Sequence, residues 1–165
     1  MSLLQLCIRF LNILSAAIVG GGQLTVLWVV VPVKRELDVS LSVRIHRAML
    51  GDQIDRFMQP FGILSILSGL LLLLLAASRL LPISRTSFAI ESVGVLGTVG
   101  VILTSRYGNV PTNRFIGTWS LADIPKDYPQ IRTRWDRIHG VRTLCGVVAL
   151  SCYVLSTLLN GPGRG

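Results

Sequence analysis

Four long apolar runs constrain the fold of this chain more than any other feature. They lie at about residues 10–33, 57–81, 88–105 and 143–160 of the 165-residue sequence. The first and the last contain no charged residue, and a helix needs about 20 such residues to cross a bilayer. The runs predict an all-α integral membrane protein, a four-helix bundle that forms a single domain over residues 1–165.

The composition agrees with a membrane protein. Only 15% of the residues are charged and the mean hydropathy is +0.63, whereas soluble domains carry about 25% charged residues. The net charge of +8 comes from Lys and Arg that cluster beside the apolar runs, so the expected partner is the lipid bilayer and not nucleic acid. The cysteines Cys7, Cys145 and Cys152 fall in apolar segments without a CxxC pattern, which indicates buried thiols.

The polar connections predict the orientation in the membrane. Residues 34–56 and 106–142 lie on the same side of a four-span protein and hold 12 of the 16 Lys and Arg residues. Short loops rich in Lys and Arg remain in the cytoplasm. The multi-pass chain is therefore expected to have both connections in the cytoplasm and both termini on the opposite side.

The strongest candidate for a site lies at the start of the fourth span. Trp135, His139 and Arg142 are spaced i, i+4 and i+7, so they share one helical face. A polar face that enters a membrane helix is costly and usually functional. His139 could accept a proton near neutral pH, and Arg142 is a fixed cation that could attract a phenolate, an enolate or a lipid phosphate.

The end of the third span adds two amides. Asn109 and Asn113 are four residues apart, with Pro111 between them. Their side chains could hold a ligand or cap helix ends. Because proline interrupts helical hydrogen bonding, the third helix is expected to close near Gly108, in a left-handed cap.

The first polar connection contributes a second histidine. His46, Met49 and Gln53 are spaced i, i+3 and i+7, which predicts one helical face directed to the same cavity as His139. The alternative for His46 is a solvated interfacial residue. A metal or haem held by His46 and His139 is conceivable, but no metal-ligand spacing occurs, so no metal and no cofactor is predicted.

Two further features of the third span bear on packing. Glu91, about one turn inside, is expected to reach back to water or to pair with Arg79 or Arg85. Glycines recur every three residues and allow another backbone to approach closely. That backbone could belong to this chain or to another membrane subunit. The glycines are Gly94, Gly97 and Gly100.

Two polar motifs carry a resemblance to a known family. They are Asn109-x-Pro111-x-Asn113 and Arg134-Trp135-x-x-x-His139-x-x-Arg142-Thr143. Together with the four spans they resemble the anthrone-oxygenase-like family of small membrane proteins, whose characterised members oxidise anthrones to anthraquinones with O2 without a classical cofactor. The resemblance implies a site made of Asn109, Asn113, Trp135, His139 and Arg142.

Two functions from different classes follow. The first is a monooxygenase, an oxidoreductase that acts on an anthrone-like or other lipophilic carbon acid, with His139 and Arg142 catalytic and with His46 and Gln53 among the substrate-binding residues. The second is a non-catalytic structural or accessory subunit of a larger membrane complex. Inward-facing glycines and a polar cavity that reaches Arg142 would favour the enzyme, whereas outward-facing glycines would favour the subunit.

Overall fold

The described residues form five helices, four of which are long and apolar enough to cross a membrane. The computed structural model describes residues 2–50, 52–81 and 83–160, and the side chains of Leu50, Asp52, Gln53 and Asp55 lie outside this description. The helices are α1 (Leu3–Glu36), α2 (Val39–Leu50), α3 (Asp52–Ala77), α4 (Arg85–Gly117) and α5 (Tyr128–Leu159). The predicted all-α membrane bundle is confirmed, with α2 as the helix that is not a candidate span.

Contacts at the two ends of the bundle define its topology. Near the termini, the Arg9 guanidinium donates to Thr157 Oγ1 at 3.2 Å, so the start of α1 meets the end of α5. At the other end, the hydroxyls of Ser42 and Tyr128 are 2.6 Å apart, which joins α2 to the start of α5. Both polar connections therefore lie at one end and both described termini at the other.

The helices run further than their apolar segments. The connection at residues 106–142 is largely helical, because α4 continues to Gly117 and α5 begins at Tyr128. Residues 118–127 lie between these two helices. The expected cap at Gly108 is wrong. Gly108 lies inside a π-helical turn, Ser105–Asn109, which ends two residues before Pro111. A wider turn accommodates the missing proline N–H, so the helix passes the proline.

The same device occurs in α1. A π-helical turn spans Val26–Val30, and Pro32 follows it. Each π turn rotates the residues beyond it relative to a regular α-helix. Lys34 and Asn113 each lie two positions after one of these prolines. At the end of the bundle that carries the polar connections, both side chains make hydrogen bonds to His46.

The glycines of α4 pack against α5. A Cβ built on Gly97 would lie 2.9 Å from the carbonyl oxygen of Cys145, and one built on Gly94 would lie 2.6 Å from the Tyr153 ring. A Cβ on Gly100 would meet the Cys145 sulfur at 2.9 Å. The glycine seam therefore faces inward and serves the packing of this chain on itself.

The surroundings of Glu91 differ from those predicted from the sequence. Its carboxylate does not reach water and is 3.8 Å from the guanidinium of Arg9, with the two side chains 1% and 2% exposed. Arg79 and Arg85 are both exposed. A carboxylate in an apolar interior needs an opposite charge close by, and Arg9 of α1 supplies it.

Candidate active site

A small cavity lies at the end of the bundle that carries the polar connections, and both polar and apolar side chains line it. Its volume is about 20 Å³, which is room for about one water molecule. The walls come from α1, α3, α4 and α5. The lining residues are Gly22, Gln23, Val26, Ile54, Met58, Asn113, Trp135, His139 and Arg142.

The face predicted on α5 forms one wall of this cavity. Trp135, His139 and Arg142 all line it and all three are buried. Asp136 next to this face accepts from the Arg35 guanidinium at 2.9 Å. This ion pair ties α5 to the end of α1 and fixes the rotation of α5 that turns the face inward.

Trp135 is the centre of the aromatic contacts. The His139 ring stacks on it with centroids 4.9 Å apart and an angle of 6° between the planes. The His46 ring meets it edge-on at 5.2 Å. Its indole Nε1 donates to Asn113 Oδ1 at 2.7 Å. The indole thus contacts both imidazoles, so the two histidines lie at the same end of the bundle.

His46 is fixed by hydrogen bonds on both sides of its ring. The ammonium of Lys34 is 2.7 Å from Nδ1, and Asn113 Oδ1 is 3.1 Å from Nε2. An ammonium only donates, so Nδ1 accepts, and Nε2 carries the proton and donates to Asn113. Burial, followed by the charge of Lys34, lowers the pKa of His46 to about 3. His46 is a neutral support behind Trp135, and the alternative of a solvated interfacial residue is wrong.

His139 differs from His46, because only one of its two ring nitrogens makes a hydrogen bond within the described residues. Its Nε2 is 3.1 Å from the backbone carbonyl oxygen of Gln23. A carbonyl oxygen only accepts, so Nε2 carries the proton. Nδ1 then holds a lone pair, and this buried atom has no hydrogen-bond partner within the described part of the chain. An imidazole in this state can accept a proton.

The two asparagines have different roles. Asn113 lines the cavity and receives hydrogen bonds from Trp135 and His46. Asn109 is fully buried outside the cavity wall, and its amide donates to the Trp135 carbonyl at 3.4 Å. The side-chain oxygen of Asn109 has no hydrogen-bond partner among the described residues. Asn109 positions Trp135, and neither asparagine acts as a helix cap.

Two predicted site residues, Gln53 and His46, remain to be placed. The Gln53 side chain lies outside the described residues. His46 does not line the cavity, so the prediction that it faces the same cavity as His139 is wrong. Protein groups engage both ring nitrogens of His46. Within the described ranges, no three His, Cys, Asp or Glu side chains are grouped to hold a metal ion.

Sequence reasoning missed several residues of this site. Lys34 was explained as a charge at the membrane surface but is 2% exposed and contacts His46. Gln23 and Met58 line the cavity from α1 and α3. The one available signal was Gln23, since a strongly polar residue in the middle of an uncharged span is costly and needs a purpose.

Comparison with known proteins bears on the same residues. A family model described as Anthrone oxygenase matches residues 53–152, more than half of the chain. This range contains Asn113, Trp135, His139 and Arg142, while Gln23, Lys34 and His46 precede it. Neither the curated proteins nor the solved structures contain a match to the chain. On the strength of the matched range, the chain belongs to the anthrone oxygenase family.

Proposed function

We propose that the protein is a membrane-embedded oxygenase that oxidises a lipophilic carbon acid, such as an anthrone, with O2 and without a redox cofactor. One observation carries the proposal. The Nδ1 lone pair of His139 is buried, has no partner among the described residues, and belongs to a side chain that lines the cavity with Arg142. A neutral base beside a cation suits the removal of a proton from carbon.

The reaction balances with O2 as the sole co-reactant. His139 takes one proton from an activated CH2 group, and the carbanion transfers one electron to O2. The resulting radical and superoxide combine to form a C–O bond, and protonation gives a hydroperoxide. Loss of the second C–H proton with hydroxide, as water, leaves a C=O group. The substrate is oxidised and O2 is reduced.

Arg142 supplies the electrostatic part of the mechanism. Arg142 is 8% exposed and forms part of the cavity wall on the same helical face as His139. Deprotonation of a carbon that is conjugated with a carbonyl, as in an anthrone, places negative charge on the carbonyl oxygen. A fixed cation in a water-poor site stabilises that charge more strongly than it stabilises the neutral substrate. Arg142 therefore lowers the barrier to proton removal.

Access to the cavity requires side-chain movement. The present volume accommodates about one water molecule, which is much smaller than a tricyclic substrate. The flexible side chain of Met58 covers the bare backbone of Gly22, and both residues line the cavity. Methionine rearranges easily, so displacement of Met58 from Gly22 opens a route between α1 and α3 for a molecule that partitions from lipid.

The direction of the glycine seam supports catalysis over an accessory role. The seam at Gly94, Gly97 and Gly100 is occupied by α5 of the same chain. These glycines are therefore not offered to a partner subunit, and Arg142 lines the cavity. Both features favour the oxygenase.

Oxygen uptake with an anthrone tests the proposal. Purified full-length protein in nanodiscs should consume O2 and form the anthraquinone. Arg142→Ala should lose most of this turnover at unchanged folding, and Arg142→Lys should recover part of it, because Lys keeps the charge but lacks the planar set of donors. Equal rates in the three proteins, or no uptake above empty nanodiscs, would contradict the assignment.

A further inference from the structure

We propose that the side-chain amide of Gln23 is a ligand-binding group that donates a hydrogen bond to a carbonyl oxygen of a lipophilic substrate. The inference deepens the proposed function and rests on it for the substrate class. Gln23 lies on α1, outside the range that matches the family model.

The first support is that the side-chain amide of Gln23 is buried without a hydrogen-bond partner among the described residues. Gln23 is 3% exposed and lines the cavity. Neither its Nε2 nor its Oε1 has a hydrogen-bond partner within the described residues. An unpaired buried amide costs about 1–3 kcal/mol of stability. A ligand that forms a hydrogen bond with such an amide removes this cost when it binds.

The second support is the orientation of the amide. Oε1 lies against Gly146 of α5, where it would be 2.6 Å from a Cβ built on that glycine. The oxygen therefore occupies space that Gly146 leaves empty. With the oxygen on the α5 backbone, the NH2 group is the end available to a ligand. A donor binds an acceptor, and the acceptor of a carbon acid of this class is its carbonyl oxygen.

The third support is the link between Gln23 and the base. The backbone carbonyl of Gln23 accepts from His139 Nε2 at 3.1 Å, so the residue that orients the base also presents the amide. A ligand carbonyl bound by Gln23 is thereby held at a fixed place relative to Nδ1 of His139. This placement selects which carbon of the substrate meets the base.

Binding of two flat tricyclic probes tests the inference without any turnover. Anthraquinone carries carbonyl oxygens, anthracene carries none, and neither has an acidic CH2. Dissociation constants are measured for both by quenching of tryptophan fluorescence, in nanodiscs, for wild type and Gln23→Leu. The ratio of the two constants within one protein cancels the partitioning of the probes into lipid.

Wild type should prefer anthraquinone, and Gln23→Leu should reduce that preference about fivefold, the value of one net hydrogen bond. The matched control Gln130→Leu removes an exposed amide from α5 and should leave the ratio unchanged. If Gln23→Leu does not fold, Gly146→Ala displaces the amide without removing it and should reduce the preference in the same direction.

An unchanged ratio in the folded variants would overturn the inference, as would a wild type that binds neither probe or both equally. The proposed function fails separately. A wild type that consumes no O2 with an anthrone removes the oxygenase, while the binding ratio still decides whether Gln23 recognises a carbonyl.

Discussion

The imidazole of His139 lies parallel to the indole of Trp135, with 4.9 Å between the ring centroids and 6° between the planes. The same indole donates from Nε1 to Asn113 Oδ1 at 2.7 Å. The stacking fixes the plane of the base, and the hydrogen bond fixes the indole. The position of the base is thus set by α4 as well as by its own helix.

The first prediction concerns this support. Trp135→Phe keeps an aromatic face for His139 but removes one donor from Asn113, which should cost about 1–3 kcal/mol of unfolding free energy and lower turnover. Trp135→Ala should cost about 3–5 kcal/mol because it also leaves a cavity. Unfolding in mixed micelles measures both. Trp28→Phe, at a residue 74% exposed on α1, is the control and should change little.

The second prediction is a pH dependence set by His46. The unfolded chain binds a proton at this residue below its ordinary pKa of 6.5, whereas the folded chain binds one only near pH 3. Between these values the unfolded state holds more protons, so the stability that is present above pH 6.5 falls as the pH decreases. Thermal unfolding of the protein in detergent from pH 7.5 to pH 4 should show this loss.

A matched variant isolates the contribution of His46. Glutamine can accept from Lys34 and donate to Asn113 but does not titrate. His46→Gln should therefore lose less stability than wild type between pH 6.5 and pH 4. Parallel pH profiles for the two proteins would show that His46 is protonated in the folded state and would contradict its role as a neutral support.

Much of the fold could be predicted from the sequence, and the reason is physical. Apolar runs of this length have one solution in a bilayer, so the spans were found. The continuation of α4 through Pro111 was missed, because the π turn at Ser105–Asn109 follows from local backbone geometry and leaves no apolar pattern. A hydropathy profile also fails to detect polar helical turns that extend beyond the bilayer.

The site could be predicted only where it lies on one helix. The spacing of Trp135, His139 and Arg142 placed them on one face, since helical periodicity is local. Lys34 and Gln23 reach the same end from α1 through contacts that depend on how the helices pack. The positive-inside rule gave Lys34 a sufficient explanation at the surface and so concealed its burial.

The third prediction tests the glycine seam. Gly97→Ala places a methyl group 2.9 Å from a backbone carbonyl of α5, and backbone cannot yield easily, so the variant should be destabilised by about 1–3 kcal/mol. Gly21→Ala is the control, because a Cβ there meets nothing within 4 Å. Equal stability of the two variants, measured in the same micelles, would show that the helices are not in close contact at Gly97.

The fourth prediction concerns orientation. In a chain whose native cysteines are replaced by alanine, Ser120→Cys should be protected from a membrane-impermeant maleimide in intact cells, and Ser78→Cys should react. Both positions are exposed, and they lie in connections at opposite ends of the bundle. The expectation follows from the excess of Lys and Arg in the two long connections. Labelling of Ser120→Cys alone would reverse the orientation.

The central claim is that His139 removes a proton from carbon before O2 takes part. Without O2, wild type in D2O should accelerate exchange of the CH2 protons of an anthrone for deuterium, as followed by NMR. His139→Ala should lose about 10²–10⁴-fold of that acceleration, the usual contribution of a positioned base. Exchange by a folded His139→Ala variant at the wild-type rate, or no exchange by wild type, would contradict the account.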